Sequence, residues 1–405
     1  MSAAVEAGLP TRRGVLEGAV RWLAIAALPL CVSSPGGTVA LALLGLAGLV
    51  FLRRGVRPAP EVRRLFRWAA GLYLFLLAVD IVNGAPVRSL LSTGVNYLPL
   101  IAIVPAHVAL RAARVGEGEI MLGFRLAVLA ALALAVPSVA SLVEGGRFMP
   151  VTGLNLNQIP FGLVMALMSV VLLSRALEGS GSRPWADALA AGLVAAVVVL
   201  TQSKLAWGSL GVGWLALGIL YARRLGPWRL GAALVGAASV AALLLALPPV
   251  RGELAQLGDA LRRVAAGDLS DGTLGRRILI YKGSWVAFME RPVLGWGLPG
   301  QMDVVKGFIA QMSDIRMPAT HLHSDWFRHL VGYGLFGAVF LAGFFLFVVR
   351  LARVAEPVHM RRALIAALPA IALYMSFDVF FNMDALTGFF ALLLAMALPR
   401  DGDMA

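Results

Sequence analysis

Residues 186–222 read ADALAAGLVAAVVVLTQSKLAWGSLGVGWLALGILYA, two apolar runs joined through Gln202-Ser203-Lys204. Each run is long enough to cross a hydrocarbon layer roughly 30 Å thick as a helix. Backbone polar groups in lipid must be satisfied within the segment, so such runs are helices, and a connection this short makes the pair a hairpin. Comparable runs lie near 19–33, 37–52, 67–83, 89–110, 121–143, 158–174, 229–248, 326–349, 361–380 and 384–399. The expected fold is therefore an all-α polytopic membrane protein with about twelve transmembrane helices.

Composition agrees. The 405 residues are 60% apolar and 14% charged, with a mean hydropathy of +0.83. A water-soluble globule needs a more polar surface than that, so the bilayer must be the solvent. The formal net charge of +13 comes from short Arg clusters between apolar runs. No basic run is interleaved with stacking aromatics, which argues against a nucleic-acid partner and leaves membrane lipid as the surrounding partner. The single cysteine, Cys31, excludes an intramolecular disulfide and a Cys-based metal site. Arg12, Arg13 and Arg21 before the run ending Leu28-Pro29-Leu30-Cys31 imitate a signal sequence, but Leu30 is too large for a lipoprotein cleavage site. The expectation is an uncleaved first span.

Orientation follows from the basic residues. Alternate connections carry Arg53, Arg54, Arg57, Arg63 and Arg64; Arg111 and Arg114; Arg175 and Arg183; Arg223 and Arg224; and Arg350, Arg353, Arg361 and Arg362. These are expected in the cytoplasm, with both termini. The intervening connections are nearly free of cations. Between Val250 and Asp325 the basic residues are almost balanced by Glu253, Asp259, Asp268, Asp271, Glu290, Asp303, Asp314 and Asp325, as suits a folded unit outside the membrane. The expected organisation is membrane helices one to nine over 1–249, an outer loop domain over 250–325, and helices ten to twelve with a short tail over 326–405. Within the loop, Leu279 to Met289 has helical apolar spacing that Glu290-Arg291-Pro292 ends.

Outward-facing cations break the charge rule and are candidates for function: Arg147, Lys204, Arg276 and Arg277. Arg147 stands in the polar stretch Gly146-Arg147-Phe148-Met149-Pro150-Val151-Thr152-Gly153-Leu154-Asn155-Leu156-Asn157, where Arg, Asn155 and Asn157 reach the headgroup level. A guanidinium fork binds phosphate oxygens bidentately, so outward Arg residues converging on one place suit a diphosphate. The bland alternatives are snorkelling to lipid phosphate and solvated charges. Three of the five histidines cluster in Thr320-His321-Leu322-His323-Ser324-Asp325-Trp326-Phe327-Arg328-His329. Ser324 or Asp325 can cap a helix beginning at Trp326. Imidazole beside that positive helix end stays neutral and can act as a general base for a sugar hydroxyl. His321 and His323 could instead begin a metal site with a distant third ligand such as Asp325 or His329, which the spacing does not demand. The acidic pair Asp401-Gly402-Asp403, in the cytoplasmic tail, lies in the wrong compartment for metal-assisted transfer. Chemistry without metal or other cofactor is expected.

Three stretches, in order, resemble the O-antigen ligase and polymerase superfamily of bacterial inner-membrane proteins. They are Arg147 through Asn157; Arg277-Ile278-Leu279-Ile280-Tyr281 through Pro292-Val293-Leu294-Gly295-Trp296-Gly297; and His321-Leu322-His323-Ser324-Asp325 followed by Gly332-Tyr333-Gly334-Leu335-Phe336-Gly337. Ser324 stands where the family usually has Asn, and Lys204 where it often has Arg. The resemblance implies transfer of O-antigen from undecaprenyl diphosphate to lipid A-core oligosaccharide, at the periplasmic face of a Gram-negative inner membrane. Arg147, Arg277, Arg276 and Lys204 would then hold the diphosphate, and His323, supported by His321, would serve catalysis. An O-antigen polymerase or a protein oligosaccharyltransferase shares this chemistry with another acceptor; protein-directed relatives often carry further C-terminal sequence, absent here after about Arg400. A transporter is the alternative of another class, but its ionisable groups would sit at mid-membrane, whereas Asp80 and Asp378 lie near outward ends.

Overall fold

The computed structural model describes residues 12–33, 35–144, 149–181, 183–270, 274–315 and 317–399; the side chains of 12, 13, 142, 227–245 and 249 are not described. The described residues form fifteen helices and no sheet, the fold of a polytopic membrane protein. Eight helices are long and apolar enough to cross a membrane: α2 (Gly36–Arg53), α3 (Pro60–Val82), α4 (Val87–Ala112), α5 (Glu117–Val143), α6 (Gln158–Glu178), the first part of α8 (Lys204–Ala246), α13 (Leu335–Val354) and α14 (Val358–Phe377). Two shorter apolar helices, α7 (Pro184–Leu200) and α15 (Asp384–Ala397), complete the hairpin and the bundle. α1 (Arg12–Leu30) carries Arg12, Arg13, Glu17 and Arg21 in its first half. The break expected between the spans at 205–222 and 229–248 falls at Gly226, whose φ of 70° and ψ of 166° interrupt α8.

Two helices form the centre. α6 starts at Asn157, whose side chain accepts the Ile159 N–H, and ends at Gly179 in the left-handed conformation. Every residue from Pro160 to Leu172 is buried, as is every residue of α15 from Ala385 to Ala397. Apolar all round, such helices belong inside a bundle. By contrast α2 and α3 expose Leu43, Leu46, Val50, Leu74 and Ile81, a surface suited to lipid.

The two ends of the bundle differ. At one end ion pairs knit the helices: Arg175 to Glu117 (2.9 Å) and to Asp187, and Glu178 to Arg224 and to Arg362 (2.8 Å). At the other, the segment after α8 folds over the bundle as α9 (Pro248–Ala265), α10 (Leu274–Glu290) and α11 (Gln301–Met312). Leu279, Ile280, Ala287, Met302, Val305, Ile309 and Leu322 form a core there, closed by Val331 from below.

The tenth span, expected as one helix from 326, is instead broken. α12 (Asp325–Tyr333) ends at Gly334, with φ 60° and ψ −140°, before α13 begins. That backbone region is open essentially to glycine alone. The turn after α10 fills the break: the Trp296 N–H donates to Val331 O (2.8 Å), Gly297 to Gly332 O (2.8 Å) and Leu335 to Pro292 O (2.7 Å). Gly295 lies so close that a Cβ there would sit 2.6 Å from the Gly332 carbonyl. The two glycine motifs, far apart in sequence, are thus one joint.

α12 is fixed by a buried polar cluster. The carboxylate of Asp325, fully buried, accepts the N–H groups of Phe380 and of Phe381 (2.9 Å) and faces Arg328 at 3.5 Å. His329 Nδ1–H donates to Asp325 O (2.7 Å), which leaves Nε2 to accept from the Tyr97 hydroxyl (2.8 Å). Arg328 donates onward to Asn382 (3.2 Å). Replacing Asp325 by Ala strands a buried guanidinium and two buried amides, and breaking such a pair costs about 3–5 kcal/mol. Thermal unfolding of the purified protein in detergent is expected to show that loss. Gly334→Ala is expected to destabilise as well, because its Cβ would lie 2.4 Å from Val293 O.

Candidate functional site

The site is assembled where α10, the segment 313–324 and the end of α14 meet. α10 begins at Leu274 and at once presents Arg276 and Arg277, whose side chains are half-buried. Its far end is closed by Trp296, whose indole N–H donates to Ala287 O (2.7 Å) while Arg291 stacks on the ring at 4.0 Å. After α11 the chain runs back as Met317-Pro318-Ala319-Thr320-His321-Leu322-His323. Leu322 is buried in the small core, which turns His321 and His323 the other way.

Arg276, Arg277, Ile280, Met317, Pro318, Ala319 and His323 line one cavity of about 260 Å³. Arg276 Nε is buried there without a hydrogen-bond partner among the described residues, a donor in want of an acceptor. His323 is held in the left-handed region at φ 50°, uncommon for a residue with a side chain. Tyr281 accounts for this: its hydroxyl bonds to His323 O (3.0 Å) and Ser376 O (2.8 Å), and its ring stacks on Phe327 at 5.1 Å. Burial pushes the phenol up to about 12, so it remains a donor. Burial, then the neighbouring His321 and Arg277, push the His323 imidazole down to about 4. It is therefore neutral at neutral pH.

His321 lies beside His323, ring centroids 4.0 Å apart, and its Nε2 is 3.7 Å from Asp378 at the end of α14. Its Nδ1 meets Thr320 Oγ1 at 3.2 Å. Asp378 belongs to no motif in the sequence; the available signal was its isolation as an acid at the outward end of a span, where ionisable groups are expensive. Tyr281 stood in the motif, but its grip on two carbonyls depends on the fold.

The other expected residues fall elsewhere. Lys204 is ion-paired to Glu253 of α9 and is not among the cavity's lining residues. Asn157 caps α6, and Asn155 sits exposed at φ 53° in the turn before it. That turn is joined to the end of α1 through the Leu154 N–H to Val32 O bond (3.0 Å). Arg147 and the Asp401-Gly402-Asp403 pair lie outside the described residues. Asp325 and His329, the third metal ligands considered from spacing, are bound into the buried cluster beneath.

A helical bundle spanning the membrane, capped by a small folded segment that sets two arginines and a histidine around a cavity, defines a membrane protein with a polar site at one end of its helices. Residues 189–342 match a family model described as O-antigen ligase, which supports membership of that family and a function of the O-antigen ligase or polymerase type. The matched region includes most of the hairpin, α10, His321, His323 and His329, and the glycine joint. A search of curated proteins returns no match.

Tyr281→Phe keeps the ring stack and removes the one hydroxyl proton shared between the two carbonyls, worth about 1 kcal/mol. The variant is expected to fold, with a small fall in melting temperature and a loosened His323.

Proposed function

We propose that this protein is an O-antigen ligase, transferring glycan from undecaprenyl diphosphate to a sugar hydroxyl of lipid A-core oligosaccharide at the periplasmic face of a Gram-negative inner membrane. The observation that carries the reading is the convergence of Arg276, Arg277 and His323 on one cavity. Arg276 and Arg277 hold the diphosphate. Arg147 remains a further candidate for that role on its sequence position, while Lys204 is ion-paired to Glu253 of α9. His323 removes the proton from the acceptor hydroxyl, whose oxygen attacks the anomeric carbon from the face opposite the diphosphate. The bond from that carbon to the phosphate oxygen breaks, the configuration inverts, and the charge gathers on the diphosphate beside the arginines. A diphosphate is already a good leaving group, so fixed cations suffice and no metal step is needed.

The two halves of the site are coupled through charge. Arg277 lowers the basicity of His323. A diphosphate seated on Arg277 offsets that charge, so the imidazole gains proton affinity when the donor is in place. The base is thus strengthened in the complex that needs it.

In a ligase-null strain, His323→Ala and Arg277→Ala are each expected to abolish attachment of O-antigen to core at normal protein levels. In a purified assay His323→Ala should lower kcat about 10²–10⁴-fold. Full attachment by both variants would overturn the assignment. A polymerase would instead leave single-repeat product on the core of a deletion strain. The pH profile offers a second check. His323 with its folded value lowered to about 4 stays unprotonated until pH falls toward that value, so the acid limb of kcat/KM lies well below the ordinary histidine value of about 6.5. Arg277→Gln removes a neighbouring positive charge, and the limb should move up toward neutrality while the rate falls.

A further inference from the structure

We propose that His321, His323 and Asp378 form a binding site for a divalent transition-metal cation, Zn²⁺ foremost, that shares the cavity with the transferase chemistry and shuts it off when filled. One ligand atom from each of the three lies within 4.8 Å of the others. In a tetrahedral zinc site with N and O ligands near 2.0–2.1 Å, the donors stand about 3.4 Å apart. His321 Nε2 and Asp378 Oδ1 are already at 3.7 Å, so a small side-chain rotation closes the set.

The surroundings prepare these donors. Thr320 Oγ1 meets His321 Nδ1 at 3.2 Å, which fixes the ring and leaves Nε2 to bind, the usual arrangement behind a metal-ligating histidine. His323 Nδ1 is buried without a hydrogen-bond partner among the described residues. Asp378 Oδ1 accepts the Val379 N–H at 2.9 Å, which orients the carboxylate at the end of α14. The two contributing segments are also tied together: the Tyr281 hydroxyl bonds to the carbonyl of His323 and to that of Ser376, two residues before Asp378. Two imidazoles and one carboxylate suit zinc and leave a fourth position open to the cavity. The guanidinium of Arg277 opposes the cation and the Asp378 carboxylate offsets it.

The cation site itself stands on this geometry; its inhibitory consequence rests on the transferase reading, because an imidazole lone pair that holds zinc cannot take a proton. The full-length protein, purified in detergent and stripped with a chelator, is titrated calorimetrically with Zn²⁺. One equivalent is expected to bind. His321→Ala and Asp378→Asn should each weaken binding at least about tenfold, since loss of a ligand costs no less than loss of an outer hydrogen-bond partner. No saturable binding, or wild-type affinity in both variants, overturns the proposal. A readout independent of variant folding uses the unsubstituted protein: Zn²⁺ should protect His321 and His323 from acylation by diethylpyrocarbonate, and equal labelling with and without zinc also overturns it. Inhibition of glycan transfer at the same zinc concentrations, reversed by chelator, supports both readings. Stoichiometric zinc binding in a protein with no transferase activity supports the cation site and counts against the transferase reading alone.

Discussion

The carboxylate of Asp325 is the constraint on which the outer half of the molecule depends. It is fully buried, and it accepts the amide protons of Phe380 and Phe381 at the point where α14 gives way to α15. Through its carbonyl it also receives His329, and through that imidazole Tyr97 of α4. One residue therefore joins the start of α12 to the turn that carries Asp378 and to the bundle interior. A buried charge is tolerable when it is paired and fully hydrogen-bonded, and here the pairing with Arg328 and the two amides is also what sets the spacing between His321 and Asp378.

Rigidity below permits strain above. His323 is held at positive φ, and the tether from Tyr281 is what over-determines it. Uncommon backbone conformations persist where surrounding contacts impose them, and they gather at functional sites. The glycine joint serves the same end. By seating the turn at 292–297 in the break between α12 and α13, it binds the far end of α10 to the bundle while the near end presents its arginines to the cavity.

Much of this was legible in the sequence for identifiable reasons. The hairpin at Gln202–Lys204 could be read because lipid leaves the backbone no choice, and α10 because its apolar period ends at Pro292. Arg276, Arg277 and His323 were visible as groups in places where their charge or rarity needs explanation. What could not be read depends on contacts between distant segments. Asp378 faces His321 across 57 residues of chain. The polar look of Asn157 gave no sign that its oxygen was spoken for by the Ile159 amide. Lys204 looked free because Glu253 lies two expected spans further along the chain. The break at Gly334 was hidden because both halves around it are apolar, and the partner that stabilises it comes from residues 292–297.

The enclosure of α15 bears on how the chain is made. Its thirteen residues from Ala385 to Ala397 are all buried. It packs against α2, α4 and α6, every one of which precedes it in the chain. A ribosome delivering helices in order must leave a slot among those earlier helices, filled for the interval by lipid or by an insertion chaperone. The helix that fills the interior is thus added after the helices that surround it, and the packing of the bundle is complete only once α15 is in place.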